Sequence, residues 1–149
     1  MALARINIHM KIKRTIFLTL ITALALAGCK STPPPTATFN AYFEAQKKKD
    51  IPGMKQALSK TSLAMMEASA KQQQLTLDKM IANQLENPSA KVDKMPEVRN
   101  EKVTGDNATI EVRNEDANRW DTMYFVKEDS VWKIALDRTI EEMLRKNGD

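Results

Sequence analysis

The chain has very few of the residues on which most enzyme and metal sites depend. Among its 149 residues there is one cysteine, Cys29, and one histidine, His9, so everything after residue 29 lacks both types. Without them the later chain cannot form Ser-His or Cys-His nucleophilic pairs, or the common zinc sites. Four isolated glycines cannot form a glycine-rich phosphate loop. The sequence therefore predicts a non-catalytic domain without a metal or cofactor.

A surplus of charge of either sign is also missing from most of the chain. The formal net charge of +4 comes from the first 28 residues, which contain four basic residues and no acidic one. The remainder has 19 basic and 19 acidic residues and is neutral overall. Because binding to nucleic acid requires a basic surplus or patch, we predict no nucleic-acid partner.

The longest uncharged apolar run lies near the N-terminus. Residues 15–27 carry no charge and follow a basic start that includes Lys13 and Arg14. The run is shorter than the roughly 20 residues that a membrane-spanning helix needs. This favours a cleaved export signal over an uncleaved anchor or an apolar core helix. Met10 begins an equally normal signal, so Met1 and Met10 both fit as the initiator.

The run ends in a short motif around the only cysteine, Leu26-Ala27-Gly28-Cys29. This motif resembles a bacterial lipobox, in which a signal peptidase cuts before the cysteine and the thiol carries a diacylglyceryl group. The resemblance implies that residues 1–28 are a lipoprotein signal peptide and that the lipid on Cys29 anchors the mature chain in the cell envelope, facing the periplasm. In such lipoproteins an aspartate after the cysteine favours the inner membrane. Lys30 stands there instead, so we expect the outer membrane.

A proline-rich stretch separates this cysteine from the rest of the chain. Pro33, Pro34 and Pro35 favour polyproline II, which extends by about 3.1 Å per residue. Residues 29–37 are therefore predicted to be a lipidated cysteine and an extended tether, and a ligand for a proline-binding module is the alternative. Residues 38–149 have the length of a single domain with its own core.

Apolar residues with helical spacing fill the first half of this domain. Phe39, Tyr42 and Phe43 form a stripe on the first predicted helix, and Leu77 begins a stripe on the last. Asp50 is a typical N-cap for the second predicted helix. The predicted helices cover about 38–49, 52–58, 62–74 and 76–86.

After Pro96 the apolar period changes from 3.6 residues to two, which predicts strands. The first strand is polar on both faces and suits an edge, and Gly105 lies in the turn that follows it. Thr139-Ile140-Glu141-Glu142 matches a capping box and predicts a closing helix with a buried stripe of Ile140, Met143 and Leu144. The predicted strands cover about 97–104, 108–113, 120–127 and 131–136.

Three segments together resemble a known family. They are the first helix with its basic end and Asp50, the strand 105–112 and, above all, the hairpin 123–134 (MYFVKEDSVWKI). They are similar to small bacterial lipoproteins with a cystatin-like cone domain of the nuclear-transport-factor-2 type, which include lumazine-binding-like domains of unknown function. The resemblance covers about 38–136 and departs from the usual pattern at Ser130, where glycine is common. It implies an α+β fold: N-terminal helices packed on a curved antiparallel sheet of about four strands.

The cone fold implies a pocket between sheet and helices without fixing its use. Tyr42, Trp120 and Tyr124 are predicted to line the mouth of that pocket. We expect a non-catalytic envelope lipoprotein that acts in protein interaction or as a scaffold, with a protein partner or a second copy of itself. One alternative is a carrier of a small apolar or aromatic ligand. Another is a histidine-free isomerase with Asp121 as its base, as in enzymes that combine an aspartate with a tyrosine.

Overall fold

The computed structural model describes residues 32–87 and 94–147, which lie in one compact unit, Thr32–Asp149. The predicted signal peptide and Cys29 fall outside these residues. No helix within them is long and apolar enough to cross a bilayer.

In chain order the elements are helices α1 Pro35–Lys47, α2 Ile51–Ala57, α3 Lys60–Gln72 and α4 Leu77–Glu86, strands β1 Val98–Thr104, β2 Asn107–Asn114, β3 Arg119–Glu128 and β4 Val131–Ile134, and helix α5 Leu136–Asn147.

The four strands form one antiparallel sheet in the order β1-β2-β3-β4. Helices that precede a curved antiparallel sheet confirm the predicted α+β class. The first strand lies at the edge and is exposed along almost its whole length, as its polar sequence predicts. Its register with β2 shifts between Arg99 and Lys102, and Asn100 within this bulge has a φ of 53°.

One face of the sheet packs on the helices and the other carries polar side chains. Ala108, Phe125 and Ile134 are paired across three neighbouring strands and are almost completely buried. Phe39 from α1 and Trp132 from β4 belong to the same cluster. Because side chains alternate between faces along a strand, the neighbours of these residues point away from the helices. We call the two sides the helix-facing face and the outer face.

A second apolar cluster holds the helices together. Ala45 and Met54 contribute to it from α1 and α2, Ala70 from α3 and Ile81 from α4. The stripe predicted for α4 is confirmed: Leu77, Met80 and Ile81 are its buried residues, and Thr76 caps its first turn by accepting a hydrogen bond from the Lys79 amide. Tyr42, Leu63 and Met66 pack against both clusters, so the helical layer and the sheet share one continuous core.

Helix α1 begins at Pro35, three residues before the predicted start. Pro35 occupies a position where the missing N–H costs nothing because the first turn has no acceptor for it. Glu101 of β1 then caps the helix: its Oε2 accepts hydrogen bonds from the Thr36 amide at 2.9 Å and from the Thr36 hydroxyl at 2.6 Å. The extended tether predicted through residue 37 therefore does not include residues 35–37.

Helix α5 also begins earlier than predicted, at Leu136, so the predicted capping box at Thr139 is wrong. Thr139 is buried inside the helix, where its hydroxyl donates to the Ala135 carbonyl and accepts from the Tyr124 amide at 3.2 Å. The predicted apolar stripe is not buried either, since Ile140 is 43% exposed and Leu144 68% exposed. The helix thus meets β3 through a polar side chain and leaves apolar residues on its surface.

Two buried serines connect the start of α3 to the start of α5. Ser62 is fully buried, and its hydroxyl oxygen lies 2.7 Å from Asp137 Oδ1 and accepts from the Leu136 amide at 2.8 Å. Ser59 Oγ lies 2.7 Å from Ser62 Oγ and accepts from the Ser62 amide. Every one of these polar groups has a partner, which is the condition for burying them without a large loss of stability.

The tight β3–β4 turn contains a strained serine. Asp129 and Ser130 have φ values of 49° and 63°, a left-handed conformation that glycine adopts without a steric penalty. We expect Ser130→Gly to raise the free energy of unfolding by about 0.5–1 kcal/mol, measured by urea denaturation. Ser130→Ala is the control, because alanine keeps the Cβ and should give no gain. Equal effects of glycine and alanine would contradict this prediction.

Candidate functional site

A cavity lies beside the ends of β2 and β3 that a short loop connects, and α5 borders it. Its volume is about 540 Å³. Four regions form its walls: the segment that leads into β1, the paired strands β2 and β3, the loop between these strands, and one side of α5. We call it the strand-end cavity.

One wall of the strand-end cavity is apolar. Val112 and Met123 contribute from the helix-facing face of the sheet, where both also pack against the core. Met95 and Pro96 approach from the segment before β1, and Met143 approaches from α5. These five side chains form a surface suited to the apolar part of a ligand.

Asp121 is a polar group of the cavity wall that is held by hydrogen bonds. It pairs with Val112 across the strands and therefore lies on the helix-facing face. Its Oδ1 accepts from Arg119 Nε at 2.7 Å and its Oδ2 accepts from Asn114 Nδ2 at 2.8 Å, while its side chain is 22% exposed. These two bonds fix the carboxylate in a single orientation.

The three residues predicted to line one pocket mouth do not lie together. Tyr42 borders a separate cavity of about 210 Å³, with Met54 and Ile81 among its walls. Trp120 and Tyr124 pair with Arg113 and Thr109, which places both on the outer face, and Trp120 lines a third cavity of about 270 Å³ against α5. The prediction located the aromatic residues on the correct elements but did not determine which face of β3 points to the helices.

On the outer face Trp120 is covered by two arginines. The Arg99 guanidinium lies 3.9 Å from the centre of the Trp120 ring and that of Arg113 lies 5.7 Å away, both within range of a cation–π contact. Arg99 Nε also donates to Glu111 at 2.7 Å, and this bond together with the Asn100 amide lowers the pKa of Glu111 below its usual value. The ring is thus occupied by the protein's own side chains.

The titration of Tyr42 is displaced by its surroundings. Burial raises the pKa of its phenol above the usual value. Because the folded state disfavours the phenolate, the stability that the buried Tyr42 phenol contributes is fully present below about pH 10, where an unfolded tyrosine titrates. This contribution is lost as the pH rises through the pKa of Tyr42 in the folded protein. We expect Tyr42→Phe to remove this alkaline loss of stability.

Ultraviolet absorbance measures the same shift directly. In a Tyr124→Phe variant Tyr42 is the only tyrosine, since the chain has two. The absorbance of its phenolate should appear at higher pH in the folded protein than in the same protein in urea. Coinciding titration curves would show that the Tyr42 hydroxyl is solvated.

The isomerase arrangement of Asp121 with two tyrosines is not assembled in the described residues. Asp121 borders the strand-end cavity, whereas Tyr42 borders another cavity and Tyr124 lies on the outer face. The residues that the structure describes also contain no group of three or more carboxylates, histidines or cysteines able to hold a metal ion. The lining of the strand-end cavity offers apolar contact, hydrogen bonding and charge.

Sequence reasoning did not find the methionines of this cavity. Met95, Met123 and Met143 lie in three different parts of the chain and have no common spacing. Each has an ordinary role as an apolar residue of its own element, so no local pattern marks them. The tertiary fold brings Met95 from the segment before β1, Met123 from β3 and Met143 from α5 to one cavity.

A comparison with known protein families finds one family that matches this chain. A family model described as putative lumazine-binding matches residues 35–137. This match begins at the first residue of α1 and ends within the first turn of α5, so it covers the helices and the whole sheet. No curated protein and no solved structure shows significant similarity to the chain.

Proposed function

This chain belongs to that lumazine-binding-like family, and we propose that its domain binds a small ligand in the strand-end cavity without transforming it. We further propose that a lipid on Cys29 anchors the chain in the cell envelope, with the domain facing the periplasm. Of the roles that the sequence left open, the carrier of a small apolar or aromatic ligand is the one that the geometry supports best.

The proposal rests on the volume and the lining of the strand-end cavity. Its volume of about 540 Å³ lies within the range of small-molecule sites, roughly 300–1,000 Å³. Such sites combine an apolar wall with a few fixed polar groups that orient the ligand. Val112 and Met123 provide such a wall, and Asp121 with Thr139 provides polar atoms held by the protein's own hydrogen bonds.

The arrangement of Asp121 supports binding rather than chemistry. A general base must reach the proton that it abstracts. Both oxygens of Asp121 already accept hydrogen bonds, one of them from a guanidinium. A carboxylate held in this way is suited to orient a bound donor.

A fluorescent apolar probe tests the proposed function. N-phenyl-1-naphthylamine brightens when it leaves water, and we expect it to bind the full chain saturably with one site. Met143→Trp places a larger ring at the cavity and should weaken this binding at least tenfold. Leu144→Trp is the matched control: it adds the same ring to the neighbouring residue of α5, which does not line the cavity.

Two results would contradict the proposed function. One is the absence of saturable binding by the unmodified chain. The other is equal binding by the two tryptophan variants, which would place the probe elsewhere on the surface. Circular dichroism of each variant confirms that the comparison is between folded proteins.

A protein partner remains the second candidate, and one observation favours it. Ile140 and Leu144 are exposed on consecutive turns of α5, beside Met143, which is 37% exposed. Exposed apolar patches of this kind often mark contact sites. A partner protein or a second copy bound to this stripe would change the sedimentation of the chain, and Leu144→Glu should abolish that change.

A further inference from the structure

Methionine makes up most of the apolar wall of the strand-end cavity. Met95, Met123 and Met143 contribute to it together with Pro96 and Val112. Met95 and Met123 are half-buried and Met143 is 37% exposed, so none of the three thioethers belongs to a fully buried residue. Each of the three residues therefore keeps part of its surface accessible to water.

The other described methionines are either buried in the core or located away from the strand-end cavity. Met54 and Met80 are only 6% and 7% exposed in the helical core. Met65 and Met66 lie on α3 and do not line the strand-end cavity. The chain thus contains both protected and half-exposed methionines against which those of the cavity can be compared.

We propose that oxidation of these three thioethers switches off ligand binding in the strand-end cavity. This inference rests on the proposed function. With hydrogen peroxide as the oxidant, the sulfur lone pair attacks one peroxide oxygen, an S–O bond forms and the O–O bond breaks. The thioether is oxidised by two electrons to the sulfoxide, and the peroxide is reduced to water.

The physical reason is the polarity of the product. A sulfoxide is polar and chiral where the thioether was apolar and flexible, and this change is known to disrupt methionine-rich contacts. The polar oxygens would face the apolar part of the ligand, where they lose hydrogen bonds to water and gain none. Thioethers are also favourable partners for aromatic rings, and that contact is lost as well.

The composition of the domain makes methionine its principal target for such oxidants. Residues 30–149 contain no cysteine, the residue that would otherwise react first. The proposed location adds to this argument because the cell envelope is an oxidising compartment. The switch would release the ligand when oxidant reaches the periplasm.

The test measures probe binding before and after treatment with hydrogen peroxide. We expect the affinity of the full chain for N-phenyl-1-naphthylamine to fall at least tenfold as mass mapping shows oxygen added at Met95, Met123 and Met143. Met143, the most exposed of the three, should react first. Methionine sulfoxide reductases for both sulfoxide epimers should restore binding, which separates a switch from irreversible damage.

Leucine variants provide the controls. A chain with Met95→Leu, Met123→Leu and Met143→Leu has no thioether in the wall, so the affinity that it shows before peroxide should be unchanged after peroxide. A chain with Met65→Leu and Met66→Leu should remain as sensitive as the unmodified chain. Loss of binding by the oxidised triple variant, or loss of the folded circular dichroism spectrum on oxidation, would overturn the inference.

The outcomes distinguish this inference from the proposed function. If the untreated chain binds no probe, the proposed function fails and this inference fails with it. If the untreated chain binds and fully oxidised methionines leave the affinity unchanged, only this inference is overturned.

Discussion

Replacing Trp132 with alanine is expected to lower the free energy of unfolding by about 3–5 kcal/mol. The ring is 3% exposed and belongs to the cluster that joins α1 to the sheet. The Lys127 ammonium lies 4.7 Å from the ring centre, and the Trp132 carbonyl accepts a hydrogen bond from the Thr38 hydroxyl. Alanine would leave a cavity at the contact between helices and sheet that the short strand β4 cannot close.

Trp120 is the matched control for this experiment, because it lies on the outer face between Arg99 and Arg113. We expect Trp120→Ala to cost only about 1 kcal/mol, the scale of an exposed cation–π contact. Urea denaturation followed by circular dichroism compares the two variants. Equal losses, or a loss below about 1 kcal/mol for Trp132→Ala, would show that the faces of the sheet are assigned backwards.

The second large effect concerns Cys29. A single acyl chain binds a bilayer only marginally, whereas two or three hold a protein stably. The comparison concerns molecules that have lost residues 1–28. If the Cys29 thiol carries the lipid anchor, these molecules should be almost entirely membrane-bound in the unmodified protein and almost entirely soluble in the Cys29→Ser variant. Fractionation of cells with mass analysis of the N-terminus measures both properties.

A variant beside the motif controls for effects on export. Ser31→Ala leaves Cys29 intact and should remain in the membrane fraction. A Cys29→Ser chain that is cleaved and still attached to membranes would contradict the lipoprotein proposal. The same mass analysis distinguishes Met1 from Met10 as the start if some precursor remains.

Much of the fold was predictable because its signals are local. The stripe of α4 and its cap at Thr76 lie within ten residues of each other, and the alternation in β2 needs only the strand itself. The hairpin with Trp132 carried the resemblance to lumazine-binding-like domains, which the family match over residues 35–137 confirms. These features depend on periodicity and turn chemistry, both of which the sequence displays directly.

The errors lie where a distant residue decides the local structure. Helix α1 begins at Pro35 because Glu101, 65 residues away, caps Thr36. Helix α5 begins at Leu136 because the amide of Leu136 and the carboxylate of Asp137 meet Ser62. No window of sequence contains both partners of these bonds, so capping rules applied locally placed the ends incorrectly.

The candidate site was the least predictable part. Alternation shows that Trp120, Tyr124 and the other even-numbered residues share a face of β3, but it does not reveal which face meets the helices. Phe125, fully buried against Ala108 and Ile134, settles this in favour of the odd-numbered residues. The cavity therefore contains Met123 and Asp121 in place of the predicted aromatic residues.

The claim that the strand-end cavity holds a small ligand is tested most directly by native mass spectrometry of the chain purified from its own membranes. We predict a mass that includes the lipid on Cys29 and one non-covalent small molecule, with the small molecule missing from the Met143→Trp chain and retained by the Leu144→Trp chain. A lipidated chain that carries no additional mass, or that carries the same mass in both variants, would contradict the account.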